Sequence, residues 1–211
     1  MRMAGLRISR LIWICWNDGS KCFSPLISDG QNKKNHLSDY LDTMAKQPKF
    51  ESQSGYFADT LYDEMEKNKD IWCLPGDVGM GVLDDIKRDF PDRYANTGAA
   101  EQALLDIGVG LAMSGKIPIC YSITPFLLYR GFETIRNYIN HEKIPVILVG
   151  RGYGKDYANC GFSHWAEEDD MVMKIFSNIR CHWPDTNEKA SLAILEAIQS
   201  KQPSYINLSK K

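Results

Sequence analysis

The sequence predicts an α/β fold, an open and mostly parallel sheet with helices on both faces, over residues 56–211. Two observations carry this. From Tyr56 onward short apolar runs alternate with helical segments, and the runs are continuous rather than apolar-polar alternating. Strands buried on both faces read as unbroken apolar runs, and parallel strands need the long crossover that a helix supplies.

Taken in order, "YFADTLYDEMEKN" has helical spacing and "IWCLP" reads as a short buried strand followed by the loop "GDVGMG". Helix "VLDDIKRDF", strand "RYANT" and a helix over 99–114 follow. Strand "KIPICYSI", a helix over 125–141 and strand "KIPVILVG" come next. Beyond the loop "RGYGKDYANCGFSHW" lie helix "EEDDMVMKIFS", strand "NIRCHW", helix "NEKASLAILEAIQS" and a last strand "SYINLS". Residues 1–55 have no sustained period, and "NDGSKCFSPLISDGQNKKN" is rich in turn formers and lysines, so they are expected to form an arm or linker.

Composition narrows the function classes. An apolar fraction of 44% with 25% charged residues suits an ordinary globular core and argues against disorder. The net charge is −2 with no basic stripe, so neither nucleic acid nor an anionic membrane is expected as a partner. "LIWICW" is too short to span a bilayer and no small-residue cleavage pattern follows it, which favours a cytoplasmic protein. The six cysteines form no C-x-x-C pair and are read as reduced core thiols.

Candidate chemistry gathers at the expected strand ends, where ligands of open α/β sheets sit. Glu101 opens the helix of "NTGAAEQALLDIGVG", and Leu104, Leu105, Gly108 and Leu111 follow at helical spacing, which puts the carboxylate beside the apolar stripe. Capping is the plain alternative, but a capping box needs Ser or Thr at 98, which is Gly98. Phe126, Tyr129 and Phe132 recur every three residues, a spacing that serves core packing or a flat heteroaromatic ring. His164 is either a general acid or base or a surface histidine ahead of an acidic helix start, because imidazole titrates near neutrality. Asp77 lies on the loop after the first strand. "VGRGYG" lacks the full G-x-G-x-x-G spacing and opens a loop rather than a helix, and no metal-ligand spacing surrounds His164.

Together "GAAEQALLDIGVGLAMSGKIPICYSI", "RGFETIRN", "KIPVILVGRGYG" and "SHWAEEDDMVMKIFSNIRCHWPDTNE" resemble the pyrimidine-binding domain of the transketolase family, which includes deoxyxylulose-phosphate synthases. The resemblance implies thiamine diphosphate as cofactor, with the glutamate matching Glu101 bonded to a ring nitrogen of the aminopyrimidine. It implies that Phe126 or Tyr129 stacks on that ring. An apparent one-residue insertion before Arg130 leaves both in play. Phe132 matches a neighbouring aromatic, His164 the substrate-facing histidine of a T-H loop, and Asp77 an acid of a G-x-A-D-like loop.

The family's diphosphate and metal motif, GDG with a later Asn-Asn pair, is absent, and "GDVGMG" does not replace it. The expectation is therefore one subunit of a split transketolase-like enzyme that moves a two-carbon ketol unit between sugars or sugar phosphates, as a dimer or heterotetramer. Its diphosphate-binding partner would carry GDG, Asn-Asn and the Mg²⁺ ligands. A subunit of a decarboxylating thiamine enzyme and a non-catalytic regulatory paralogue are the alternatives.

Overall fold

A computed structural model describes residues 48–210. Most of the arm expected over 1–55 lies outside the described residues, with Cys15, Cys22 and the "LIWICW" run. Helix α1 (Gln53–Lys67) opens on Ser52, whose hydroxyl accepts from the Gly55 amide at 3.2 Å, a side-chain N-cap. Its Phe57, Leu61 and Met65, at i, i+4 and i+8, form a fully buried stripe.

Five parallel strands follow: β1 (Ile71–Pro75), β2 (Ile117–Ile123), β3 (Ile147–Arg151), β4 (Arg180–His182) and β5 (Ser204–Leu208), in the spatial order β1-β2-β3-β5-β4. The helices between them are α2 (Asp84–Asp89), α3 (Glu101–Met113), a helical stretch α4 over 126–141, α5 (Asp169–Met173) and α6 (Asn187–Ser200). Right-handed crossovers decide which face each helix covers. From β1 through β3 to β4 the chain steps one way across the sheet, so α3, α4 and α5 share a face. The step back to β5 reverses the direction and sends α6 to the other face, beside α1.

Two apolar layers result. Ile119 and Tyr121 of β2, Ile147 and Val149 of β3 and Ile206 of β5 pack against α1 and α6. The alternate residues Cys120, Leu148 and Tyr205 pack against α3 and α4. Helix α3 approaches β2 closely because Gly108 faces it: a Cβ there would lie 2.7 Å from the Cys120 sulfur.

Several elements differ from their sequence expectation. "RYANT" is no full strand; it runs beside β1, where the Ala95 and Thr97 amides donate to the Cys73 and Pro75 carbonyls at 3.1 Å. β3 begins at Ile147 rather than Lys143, because Lys143 has a left-handed φ of 58° and Pro145 has no amide proton to give. α5 is shorter than "EEDDMVMKIFS". Glu167 leaves it to pair with Lys155 at 3.2 Å, and Asp169 turns into the core instead of facing solvent. The core reading of the cysteines holds for Cys73 and Cys120, and burial raises the Cys73 thiol to about 12. It fails for Cys160, which is exposed on a turn of the 152–168 loop.

Edge strand β4 carries a pH-sensitive group. Burial and then the Arg180 charge lower His182 to about 4, and its buried Nε2 has no hydrogen-bond partner. Glu196, 3.9 Å from Nδ1 and half exposed, does not offset this. The unfolded chain binds this proton near pH 6.5 while the folded chain resists it, so stability falls as pH drops from about 6.5 toward 4. Urea midpoints measured across that range are expected to fall less steeply in His182→Gln than in the wild-type chain.

Candidate functional site

The carboxyl ends of β1 and β2 present the site. Glu101 is the first residue of α3 and is 1% exposed; the preceding Ala100 offers no side-chain cap. A carboxylate at a helix N-terminus is favoured by the dipole, yet one this buried needs hydrogen-bonding partners. Two are present. Ser122, near the end of β2, donates its hydroxyl to Oε1 at 3.2 Å, and Arg130 donates Nη1 to Oε2 at 2.6 Å.

Arg130 reaches Glu101 from α4, which is wound unusually wide. Residues Phe126–Arg130 and Ile135–His141 form π-type turns around a short α-helical turn, Phe132–Thr134. An extra residue inside a helix is accommodated by such a turn, and the apparent insertion before Arg130 falls in the first of them. Gly131 lets this turn lie against α3, since a Cβ there would come within 2.1 Å of Leu105.

The same winding separates the aromatic residues. Phe126 faces the site: the Arg130 guanidinium lies over its ring, 4.0 Å from the centroid, and His164 meets it edge-on at 4.8 Å. Tyr129 is 41% exposed on another side of α4, where partial burial and the Glu168 carboxylate raise its hydroxyl well above the ordinary range. Phe132 packs on Phe176 at 5.4 Å within the apolar layer under α4. Asp77 is exposed with a left-handed φ of 56°, and its amide donates to Asn96 Oδ1 at 3.1 Å.

The structure thus brings Glu101, Phe126 and His164 together and leaves Tyr129, Phe132 and Asp77 with other contacts. His164 is half-buried on a turn, its Nδ1 3.0 Å from the Ser163 hydroxyl. Sequence reasoning missed Ser122 and Arg130 as partners of the carboxylate. One signal was available: Arg130 is the sole cation between Lys116 and Arg136 in a mostly apolar stretch.

A second buried carboxylate was also missed. Asp169, 1% exposed, accepts at Oδ2 from Trp183 Nε1 at 2.9 Å, Tyr205 Oη at 2.9 Å and Asn207 Nδ2 at 2.6 Å. Asn207 Oδ1 in turn lies 3.3 Å from the Thr124 hydroxyl, two residues before Phe126. This network ties the start of α5, five residues after His164, to the strand end that leads into Phe126.

Residues 52–211 match the family model described as the transketolase pyrimidine-binding domain. The chain belongs to this family. It is 33% identical over 124 residues to an apulose-4-phosphate transketolase subunit of Actinobacillus succinogenes, an alignment covering 59% of this chain and 40% of the relative. It is 24% identical over 156 residues to 6-deoxy-6-sulfo-D-fructose transketolase subunit SqwH of a Clostridium species, covering 74% and 48%. Among solved structures it resembles a split-gene transketolase described as an inactive beta4 tetramer, with a TM-score of 0.67 at 28% identity over 76% of this chain and 52% of that one. The chain spans about half the length of the relatives it matches. Among the described residues of this transketolase-family chain, no helix is long and apolar enough to cross a membrane, and no group of three or more His, Cys, Asp or Glu is placed to hold a metal ion.

Proposed function

We propose that this chain is the pyrimidine-binding subunit of a split, thiamine diphosphate-dependent transketolase-like enzyme that transfers a two-carbon ketol unit between sugars or sugar phosphates in the cytoplasm. One observation carries the reading: a carboxylate buried at the strand ends, with an aromatic face beside it. That slot holds a planar group over the Phe126 face, 4.0 Å from the ring centroid, in hydrogen bond with Glu101, and an aminopyrimidine calls for the same aromatic face and the same carboxylate. The residues present therefore fit the ring half of the cofactor.

When bound, thiamine diphosphate supplies the acidic carbon and the electron sink that ketol cleavage requires. The chain's own residues control its placement and its proton. Glu101 shares one proton with the ring nitrogen, donating to it as the neutral acid and accepting from it once that nitrogen is protonated, and so governs the protonation of the ring, while Ser122 fixes the other carboxylate oxygen. Phe126, rather than Tyr129, offers the stacking face. His164, against the edge of Phe126, exchanges a proton or hydrogen bond with a substrate oxygen. Phe132 supports the wall from the apolar layer below, and Asp77 belongs to the rim.

Diphosphate and Mg²⁺ are assigned to a partner subunit with GDG and Asn-Asn motifs, in a dimer or heterotetramer; the arm expected over 1–55 is shortened to the residues ahead of Ser52, because α1 begins the domain at Gln53 rather than at 56. Calorimetric titration of thiamine diphosphate and Mg²⁺ tests the division. Weak binding to this chain alone and tight binding after addition of such a partner is the expected result. Tight, Mg²⁺-dependent binding by the isolated chain would overturn it.

A further inference from the structure

We infer that Arg130 is a built-in placeholder for the cofactor ring, closing the slot in the free chain and leaving it when the ring enters; this rests on the ring-site reading above. The guanidinium is planar and cationic, with N–H groups in its plane. It lies over the Phe126 face at 4.0 Å and donates to Glu101 Oε2 at 2.6 Å. Those are the two contacts proposed for the aminopyrimidine, one over the aromatic face and one hydrogen bond with the carboxylate. Two planar groups do not share one face, so the occupants exclude each other.

The asymmetry of the pair indicates which partner moves. Glu101 is held by the start of α3 and by Ser122 and is 1% exposed, whereas the Arg130 side chain is 46% exposed at the mouth. Rotation of the arginine into solvent opens the slot without disturbing the core. While in place it satisfies the buried carboxylate, which would otherwise keep, among the described residues, the Ser122 hydroxyl as its side-chain partner.

A competing closed state lowers observed affinity by the fraction of chains that are open, so removal of the competitor tightens binding. The probe is 4-amino-5-hydroxymethyl-2-methylpyrimidine, the ring half of thiamine, titrated into the full 211-residue chain by ligand-observed NMR. Arg130→Met keeps the stem without the planar cation and is expected to bind at least about tenfold more tightly than wild type. Arg130→Lys, which keeps the charge but not the plane, is expected to tighten binding by less and serves if the Met variant does not fold. Adding Glu101→Gln to either should remove the gain, and millimolar methylguanidinium should compete in the Met variant. Equal or weaker binding by both Arg130 variants, with Glu101-dependent binding in wild type, overturns the placeholder and leaves the ring site standing. Binding that ignores Glu101, or no binding by any variant, overturns both.

Discussion

Glu101→Gln is expected to lower ketol-transfer turnover of the assembled enzyme by roughly 10³-fold, within the range for loss of a positioned acid–base group. The substitution is nearly isosteric, so the backbone of α3 and the Ser122 contact have no steric reason to change. What disappears is the group able to take up charge opposite the ring nitrogen, because an amide does not ionise. In the free chain its NH₂ donors would face Arg130 in place of an acceptor oxygen, or rotate away to present the carbonyl. The circular dichroism spectrum should match that of wild type and thermal unfolding should remain cooperative while activity is lost. Turnover within a few-fold of wild type would remove Glu101 from the chemistry and with it the enzymatic reading.

Asp169→Ala is expected to be among the most destabilising single changes in the domain, costing about 3–5 kcal/mol in urea unfolding, as when one partner of a buried hydrogen-bond network is deleted. The reason is the number of groups left behind. Trp183 Nε1, Tyr205 Oη and Asn207 Nδ2 all donate to one carboxylate oxygen, and each would lose that acceptor. Tyr205 is fully buried, so water cannot replace the lost acceptor, and its hydroxyl is held well above the ordinary phenol range by desolvation and by the Asp169 charge. Asp169→Asn should cost less, because its amide oxygen still accepts while only the charge is lost. Equal, small losses in both variants would mean that the network adds little to stability. The change should also loosen the His164 loop, because Asp169 anchors the chain that follows it.

Much of the fold was legible because local signals and burial agreed. "IWCLP" and "NEKASLAILEAIQS" coincide with β1 and α6, where a continuous apolar run or a helical apolar period matches the burial that the tertiary structure imposes. Legibility failed where a tertiary partner decided the outcome. Asp169 sits in an acidic run that resembles a solvated helix start, and no local pattern shows the three donors on β5 and beyond β4 that draw it inward. Tyr129 and Phe126 could not be separated at three-residue spacing, since the answer lay in the wide turn of α4. Glu101 was conspicuous because a lone carboxylate interrupted an apolar stripe. Arg130, its partner, is distant in sequence and became meaningful only once the helices met.

The contacts of Gln53 carry a consequence for assembly. Its Oε1 accepts from the Ser209 amide at 2.7 Å and its Nε2 donates to the Pro184 carbonyl at 2.9 Å, so one side chain clasps the beginning of α1 to the chain just past β5. Entry and exit of the domain are thereby buckled together on the strand-end side of the sheet, where Glu101 also lies. Both ends of the described domain therefore open on the side of the sheet that carries the candidate site rather than on the opposite side, which makes them natural tethers for whatever completes that site.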